Sequence, residues 1–245
     1  MAFCELHYFS EPLQKQTAAT VLLPESNFKG PFPVFYLLNG LSDDHTIWMR
    51  RTNIERYVSG LPLIVVMPNG ARGFYCDAPQ GAAHQADIVD LVRYVDTRFQ
   101  TRAERSARCI GGFSMGGYGA VKLALQYPDL FSSANSHAGA LSFGHGSKLE
   151  FPETKPVLGQ DADGGGPNDV YRLIAEADRS KLPHLLIDCG VDDFLIEESR
   201  AFHAHLEKLG VPHDYKEHPG AHNWDYCDLH VQEAVAFHAR HLGLS

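Results

Sequence analysis

The sequence predicts an α/β fold built on one mostly parallel central sheet of about eight strands, with helices on both faces. Short continuous apolar runs at 33–38, 63–67 and 185–189 suit strands buried on both faces; strands with one wet face would alternate apolar and polar residues. Between such runs lie stretches of helical period, as at 86–99, where Ile88, Leu91, Val92, Val95 and Phe99 recur on one face. Strands alternating with helices over most of the chain imply a parallel sheet with right-handed crossovers. At 245 residues and 44% hydrophobic, the chain can bury a sizeable core as a single domain, 1–245.

In chain order, 4–9 and 17–23 read as two strands forming an antiparallel edge, the second closed by Pro24. Strands follow at 33–38 and 63–67, the latter ending in Pro68-Asn69-Gly70, and then the helix 86–99. A strand at 107–113 turns directly into a helix at 116–127, which Pro128 stops. After a short strand at 133–138, the segment 141–180 loses periodicity and contains Gly164-Gly165-Gly166-Pro167. It reads as a cap-like excursion above the sheet with one helix near 168–176. The chain then returns to a strand at 185–189, a helix at 196–209 ending at Gly210, a strand at 213–217 and a last helix at 228–242.

Composition excludes several partners. A net charge of -9 argues against nucleic acid or an anionic membrane surface, and no apolar run approaches the length of a membrane span. The N-terminus lacks a cationic segment followed by an apolar one, so a cytoplasmic location is expected. Five widely spaced cysteines without a Cys-x-x-Cys pair read as reduced thiols. His203 with His205, and His238 with His241, have no third ligand nearby in sequence; neither a metal nor a cofactor is expected. The expected partner is a small neutral molecule, and a homo-oligomer stays open.

Function is written at the strand-to-helix turn. Gly112-Phe113-Ser114-Met115-Gly116 is a Gly-x-Ser-x-Gly pattern, which between a strand and a helix forms a nucleophile elbow. The serine takes a strained backbone at the tip, and side chains two residues either side would collide. A phosphate-binding loop is excluded, because no Lys followed by Ser or Thr comes after the last glycine. The dinucleotide fingerprint fails at Lys122.

Such a serine needs an acid and a histidine later in the chain. His222 lies in the loop after strand 213–217, while Asp193 and the adjacent Asp192 follow strand 185–189; Asp193 is favoured by its three-residue offset from Gly190. Carboxyl-end loops of a parallel sheet share one crevice, so these groups can meet. An oxyanion would be held by the backbone N–H of Met115 and of Leu41, the latter in the loop after the third strand.

These residues resemble the esterase branch of the α/β-hydrolases that includes tributyrin, acetyl and feruloyl esterases, S-formylglutathione hydrolase and the mycolyltransferases. The resembling segments span nearly the whole chain. They are Tyr36-Leu37-Leu38-Asn39-Gly40, Trp48-Met49-Arg50-Arg51-Thr52-Asn53-Ile54-Glu55-Arg56, Val66-Met67-Pro68-Asn69-Gly70 with Gly73-Phe74-Tyr75, the elbow, Cys189-Gly190-Val191-Asp192-Asp193-Phe194-Leu195, and Pro219-Gly220-Ala221-His222-Asn223-Trp224-Asp225-Tyr226. The resemblance implies the α/β-hydrolase fold and a triad of Ser114, Asp193 and His222. Where the family usually has His-Gly this chain has Asn39-Gly40; the oxyanion donors are backbone groups, and Asn can anchor the loop through its own amide.

The expected activity is that of a serine carboxylesterase acting on small acyl esters. S-formylglutathione hydrolysis or another thioesterase activity, acyl transfer to an alcohol or sugar, and a catalytically weak binding protein are the alternatives. Asn39, Gly40, Trp48, Tyr75, Tyr118 and Trp224 are the candidates for substrate contact, with Phe143 a further one.

Overall fold

The computed structural model describes residues 1–149 and 151–244. Glu150, within the 141–180 excursion, and Ser245, the last residue of the expected domain, lie outside the described residues. Eight strands form one sheet: β1 (Ala2–Ser10), β2 (Lys15–Leu23), β3 (Val34–Leu38), β4 (Ile64–Pro68), β5 (Arg108–Phe113), β6 (Ser133–His137), β7 (His184–Gly190) and β8 (Asp214–His218). Their spatial order is β1-β2-β4-β3-β5-β6-β7-β8. β1 and β2 pair antiparallel, as does β2 with β4, and every pairing from β4 to β8 is parallel. The expected α/β fold with its antiparallel edge is what the chain adopts.

The apolar strands show why their runs are continuous. Along β3, Val34, Tyr36 and Leu38 point into one core while Phe35 and Leu37 point into another on the opposite face. In β4, Ile64 and Val66 enter the first core and Val65 and Met67 the second. Period-2 alternation is present, but both of its phases are buried.

The helices are α1 (Ile47–Arg51), α2 (Ile54–Val58), α3 (His84–Arg98), α4 (Met115–Gln126), α5 (Thr154–Leu158), α6 (Val170–Glu176), α7 (Ile196–Leu209) and α8 (Trp224–Leu242). Three of these, α1, α2 and α5, are absent from the sequence reading. Each has five residues, too few to display a period, and α2 is held from outside. The Asp228 carboxylate on α8 accepts from Asn53 N, Asn53 Nδ2 and Tyr57 Oη at 2.7, 2.9 and 3.0 Å. α8 also starts at Trp224 instead of 228, because the Asn223 side chain caps it by accepting from Tyr226 N at 2.9 Å.

The 141–180 excursion joins the main body: Phe143, Val157, Leu158, Val170 and Ile174 belong to the same core as β3 and α4. None of the described helices is long and apolar enough to cross a membrane.

Candidate active site

Parallel pairing brings the carboxyl ends of β3, β5, β7 and β8 to one edge of the sheet, and each ends in a loop carrying a predicted site residue. Ser114 follows β5 with φ 58° and ψ -118°, a conformation that costs a non-glycine residue energy and persists because its surroundings fix it. The flanking glycines are required sterically. A Cβ on Gly116 would lie 2.5 Å from Leu38 O, and one on Gly112 would lie 2.6 Å from the Gly116 backbone.

Ser114 Oγ and His222 Nε2 are hydrogen-bonded at 2.9 Å. On the other side of the ring, His222 Nδ1 is 2.8 and 3.0 Å from the two Asp193 carboxylate oxygens. Asp193 is 2% exposed and accepts from Leu195 N at 2.8 Å, which fixes its orientation. Asp192 is exposed, so Asp193 alone of the two contacts His222. The imidazole is held between Phe113, stacked at 4.4 Å, and Phe194 at 4.5 Å. A hydroxyl bonded to an imidazole whose far nitrogen meets a buried carboxylate is the arrangement that general-base activation of a nucleophile requires.

Ser114 and His222 open into a cavity of about 280 Å³. Leu41 and Met115 line it too, and neither of their N–H groups is spent on a backbone carbonyl among the described residues. Of the residues expected to contact substrate, Gly40 and Trp224 line the cavity. Asn39, Trp48, Tyr75, Tyr118 and Phe143 do not: they are buried behind its wall. Trp48 Nε1 donates to Leu38 O at 3.0 Å, with its ring against Trp224 at 4.9 Å. Tyr118 Oη donates to Asn168 O at 2.7 Å, and Phe143 stacks on Phe74 at 3.7 Å.

Asn39 braces the loop instead. Its Nδ2 donates to Gly40 O at 2.8 Å and Asp43 O at 3.1 Å, and its Oδ1 accepts from Gly70 N at 2.9 Å and Tyr75 Oη at 3.0 Å. The side chain therefore ties the loop carrying Leu41 to the loop after β4. Lys122, inside α4, does comparable work for the elbow: its buried ammonium donates to Tyr75 O at 2.6 Å, Gln85 Oε1 at 2.7 Å and Asn168 Oδ1 at 3.1 Å.

Asp43, Phe74, Phe113, Phe151, Phe194 and Asn223 are among the cavity residues that sequence reasoning missed, with Ser42 and Ala140. Phe113, Phe194 and Asn223 each adjoin Ser114, Asp193 or His222, and that adjacency was the available signal. Phe74 and Phe151 are brought in by long-range folding and carry no local one.

Among the described residues, one group brings three possible metal ligands within 4.8 Å of one another: His218, His230 and Glu233. The two rings stack at 3.9 Å and 15°, so their lone pairs run in nearly parallel planes and do not converge on one ion. Lys216 also pairs with Glu233. Of the five cysteines, all free, burial pushes the Cys109 and Cys227 thiols well up and Cys189 to about 12, which keeps these three protonated.

Residues 10–238 match the family described as putative esterase. The chain is 24% identical over 264 residues to an acetyl esterase of Caldicellulosiruptor saccharolyticus, with 96% of this chain and 97% of that protein covered. It superimposes on the substrate-bound fluorophosphonate-binding serine hydrolase FphF of Staphylococcus aureus with a TM-score of 0.88 and 31% identity, covering 97% and 98% of the two chains. An S-formylglutathione hydrolase structure from Staphylococcus aureus gives 0.87 and 31% at the same coverage. With an esterase model matched over nearly its whole length and serine hydrolases as structural neighbours, the chain belongs to the putative esterase family and is a serine hydrolase of the carboxylesterase type.

Proposed function

We propose that this enzyme hydrolyses short-chain carboxylic esters, acetyl esters among them, through an acyl-Ser114 intermediate. The observation that carries the reading is the unbroken hydrogen-bond chain from Asp193 through His222 to Ser114, opening into a cavity of about 280 Å³. As Ser114 Oγ bonds to the ester carbonyl carbon, His222 Nε2 takes its proton, and Asp193 holds the tautomer and stabilises the imidazolium. The tetrahedral oxyanion faces the N–H groups of Met115 and Leu41. Collapse breaks the ester C–O bond, and the leaving alkoxide takes the proton from His222. A water activated by the same imidazole then releases the acid and restores Ser114.

The small cavity favours a short acyl chain, as does the likeness to an acetyl esterase over nearly the full length. The likeness to an S-formylglutathione hydrolase makes a thioester the competing substrate. Both points are tested by comparing kcat/KM on p-nitrophenyl acetate, butyrate and decanoate with that on S-formylglutathione. The reading expects acetate and butyrate to lead and decanoate to fall far behind. A preference for decanoate, or for the thioester over every ester, overturns it.

A further inference from the structure

The cavity is lined mostly by uncharged groups. Among its described lining residues Asp43 is the only carboxylate, and there is no lysine or arginine. Asp43 sits on the loop that carries Leu41, with one carboxylate oxygen packed against Gly40: a Cβ added there would lie 2.9 Å from Asp43 Oδ2. His222 and Trp224 line the cavity with it. Burial, with the like charge of Asp44 beside it, raises the Asp43 carboxyl above its ordinary range, and the Trp224 indole, Arg51 and His222 act the other way. Its neighbour Asp44 is engaged elsewhere, its Oδ1 accepting from Thr46 N at 2.8 Å and from Thr46 Oγ1 at 2.6 Å.

A half-buried carboxylate next to oxyanion donors opposes the negative charge that develops during acyl transfer. It also repels any anionic part of a substrate and offers acceptor oxygens to ammonium or hydroxyl donors. We propose that Asp43 is a specificity-determining residue: it selects esters whose alcohol portion is cationic or hydroxyl-bearing and rejects those with an anionic leaving group. This deepens the esterase reading and rests on it. Thioesters of net anionic thiols are disfavoured on the same ground.

The test uses three acetates with the same acyl group: acetylcholine, its uncharged isostere 3,3-dimethylbutyl acetate, and the anionic 3-sulfopropyl acetate. A fixed charge facing a substrate charge across the cavity, at an effective dielectric near that of a protein surface and with physiological screening, gives a ratio of kcat/KM of about 10- to 50-fold between cation and anion. The expected order is cation, neutral, anion. Raising the salt concentration should slow the cation and speed the anion, which needs no variant and so survives any folding defect. Asp43→Asn should bring the ratio close to one, whereas Asp44→Asn should keep it; each ratio is internal to its protein, so a general loss of activity does not imitate the effect.

A wild-type enzyme with equal rates on all three acetates and no opposing salt response overturns the charge filter while leaving the esterase reading intact. So does an Asp43→Asn variant that keeps the wild-type ratio. A wild-type enzyme that hydrolyses none of the three, nor p-nitrophenyl acetate, overturns the esterase reading itself.

Discussion

Replacing Asn39 by Ala probes the link between a buried brace and turnover. The substitution removes four hydrogen bonds from a fully buried side chain. Gly40 O keeps the N–H of Asp43 at 3.3 Å, and Tyr75 Oη keeps Asn39 O at 3.1 Å. Gly70 N–H and Asp43 O are left without their partner. Stranding the buried Gly70 N–H and the part-buried Asp43 O, at about 1–3 kcal/mol for a buried group and less for one that water can reach, gives a loss of about 1–4 kcal/mol in stability. Because the freed segment carries the Leu41 N–H proposed to hold the oxyanion, misplacing it should lower kcat about a hundredfold, with a much smaller change in KM. The assay pairs chemical denaturation with steady-state kinetics on p-nitrophenyl acetate, at a temperature where the variant remains folded. A folded Asn39→Ala enzyme with wild-type kcat would refute the reasoning, since it would show that the loop holds its donor without the brace. Tyr75→Phe, which removes one donor and keeps the ring, should show the same pattern at about 1 kcal/mol.

Other perturbations read different parts of the fold. Gly116→Ala places a Cβ against the backbone of Leu38, which cannot yield as a flexible side chain would; it should cost about 3 kcal/mol by denaturation and depress kcat by tilting the elbow. Asp87, bonded by Ser10 Oγ at 2.5 Å, is pushed up to about 6 chiefly by burial, with Asp90 adding to the effect. The folded state therefore holds its proton more tightly than the unfolded state, and stability falls as pH rises from about 4 to about 6. Asp87→Asn should accordingly stabilise the protein by up to about 3 kcal/mol near neutral pH and give no advantage below about pH 4. Thermal melts across that range would show the opposite slope if the ionised carboxylate were favoured by folding.

The elbow was legible because its demands are local: glycines at 112 and 116 answer to atoms within the same turn or the adjoining strand end. Ser114, Asp193 and His222 could be placed together because each follows a recognisable strand of a parallel sheet, whose carboxyl ends must share an edge. The cavity was not legible in the same way. Aromatic residues such as Trp48, Tyr75 and Tyr118 looked like lining, but their polar tips find partners in buried backbone and draw the rings behind the wall. Phe74 and Phe151 reach the cavity from distant loops. β6 was placed by its position between clearer elements, since its Ser-Ala-Asn-Ser-His sequence is largely polar yet buried. Ser133 Oγ and Asn135 Oδ1 meet the ring of His238 on α8 at 2.8 and 2.9 Å, a pairing that no local pattern announces.

The most direct test of the central claim follows p-nitrophenol release from the acetate ester by wild type and Ser114→Ala. In parallel, the wild-type reaction is quenched early and its peptides are weighed. The account expects turnover by wild type, its loss in the variant to the level left by oxyanion donors and binding alone, and an acetyl group on the peptide containing Ser114. Wild-type turnover in Ser114→Ala, or acetylation at another residue that Ser114→Ala leaves unchanged, would contradict it.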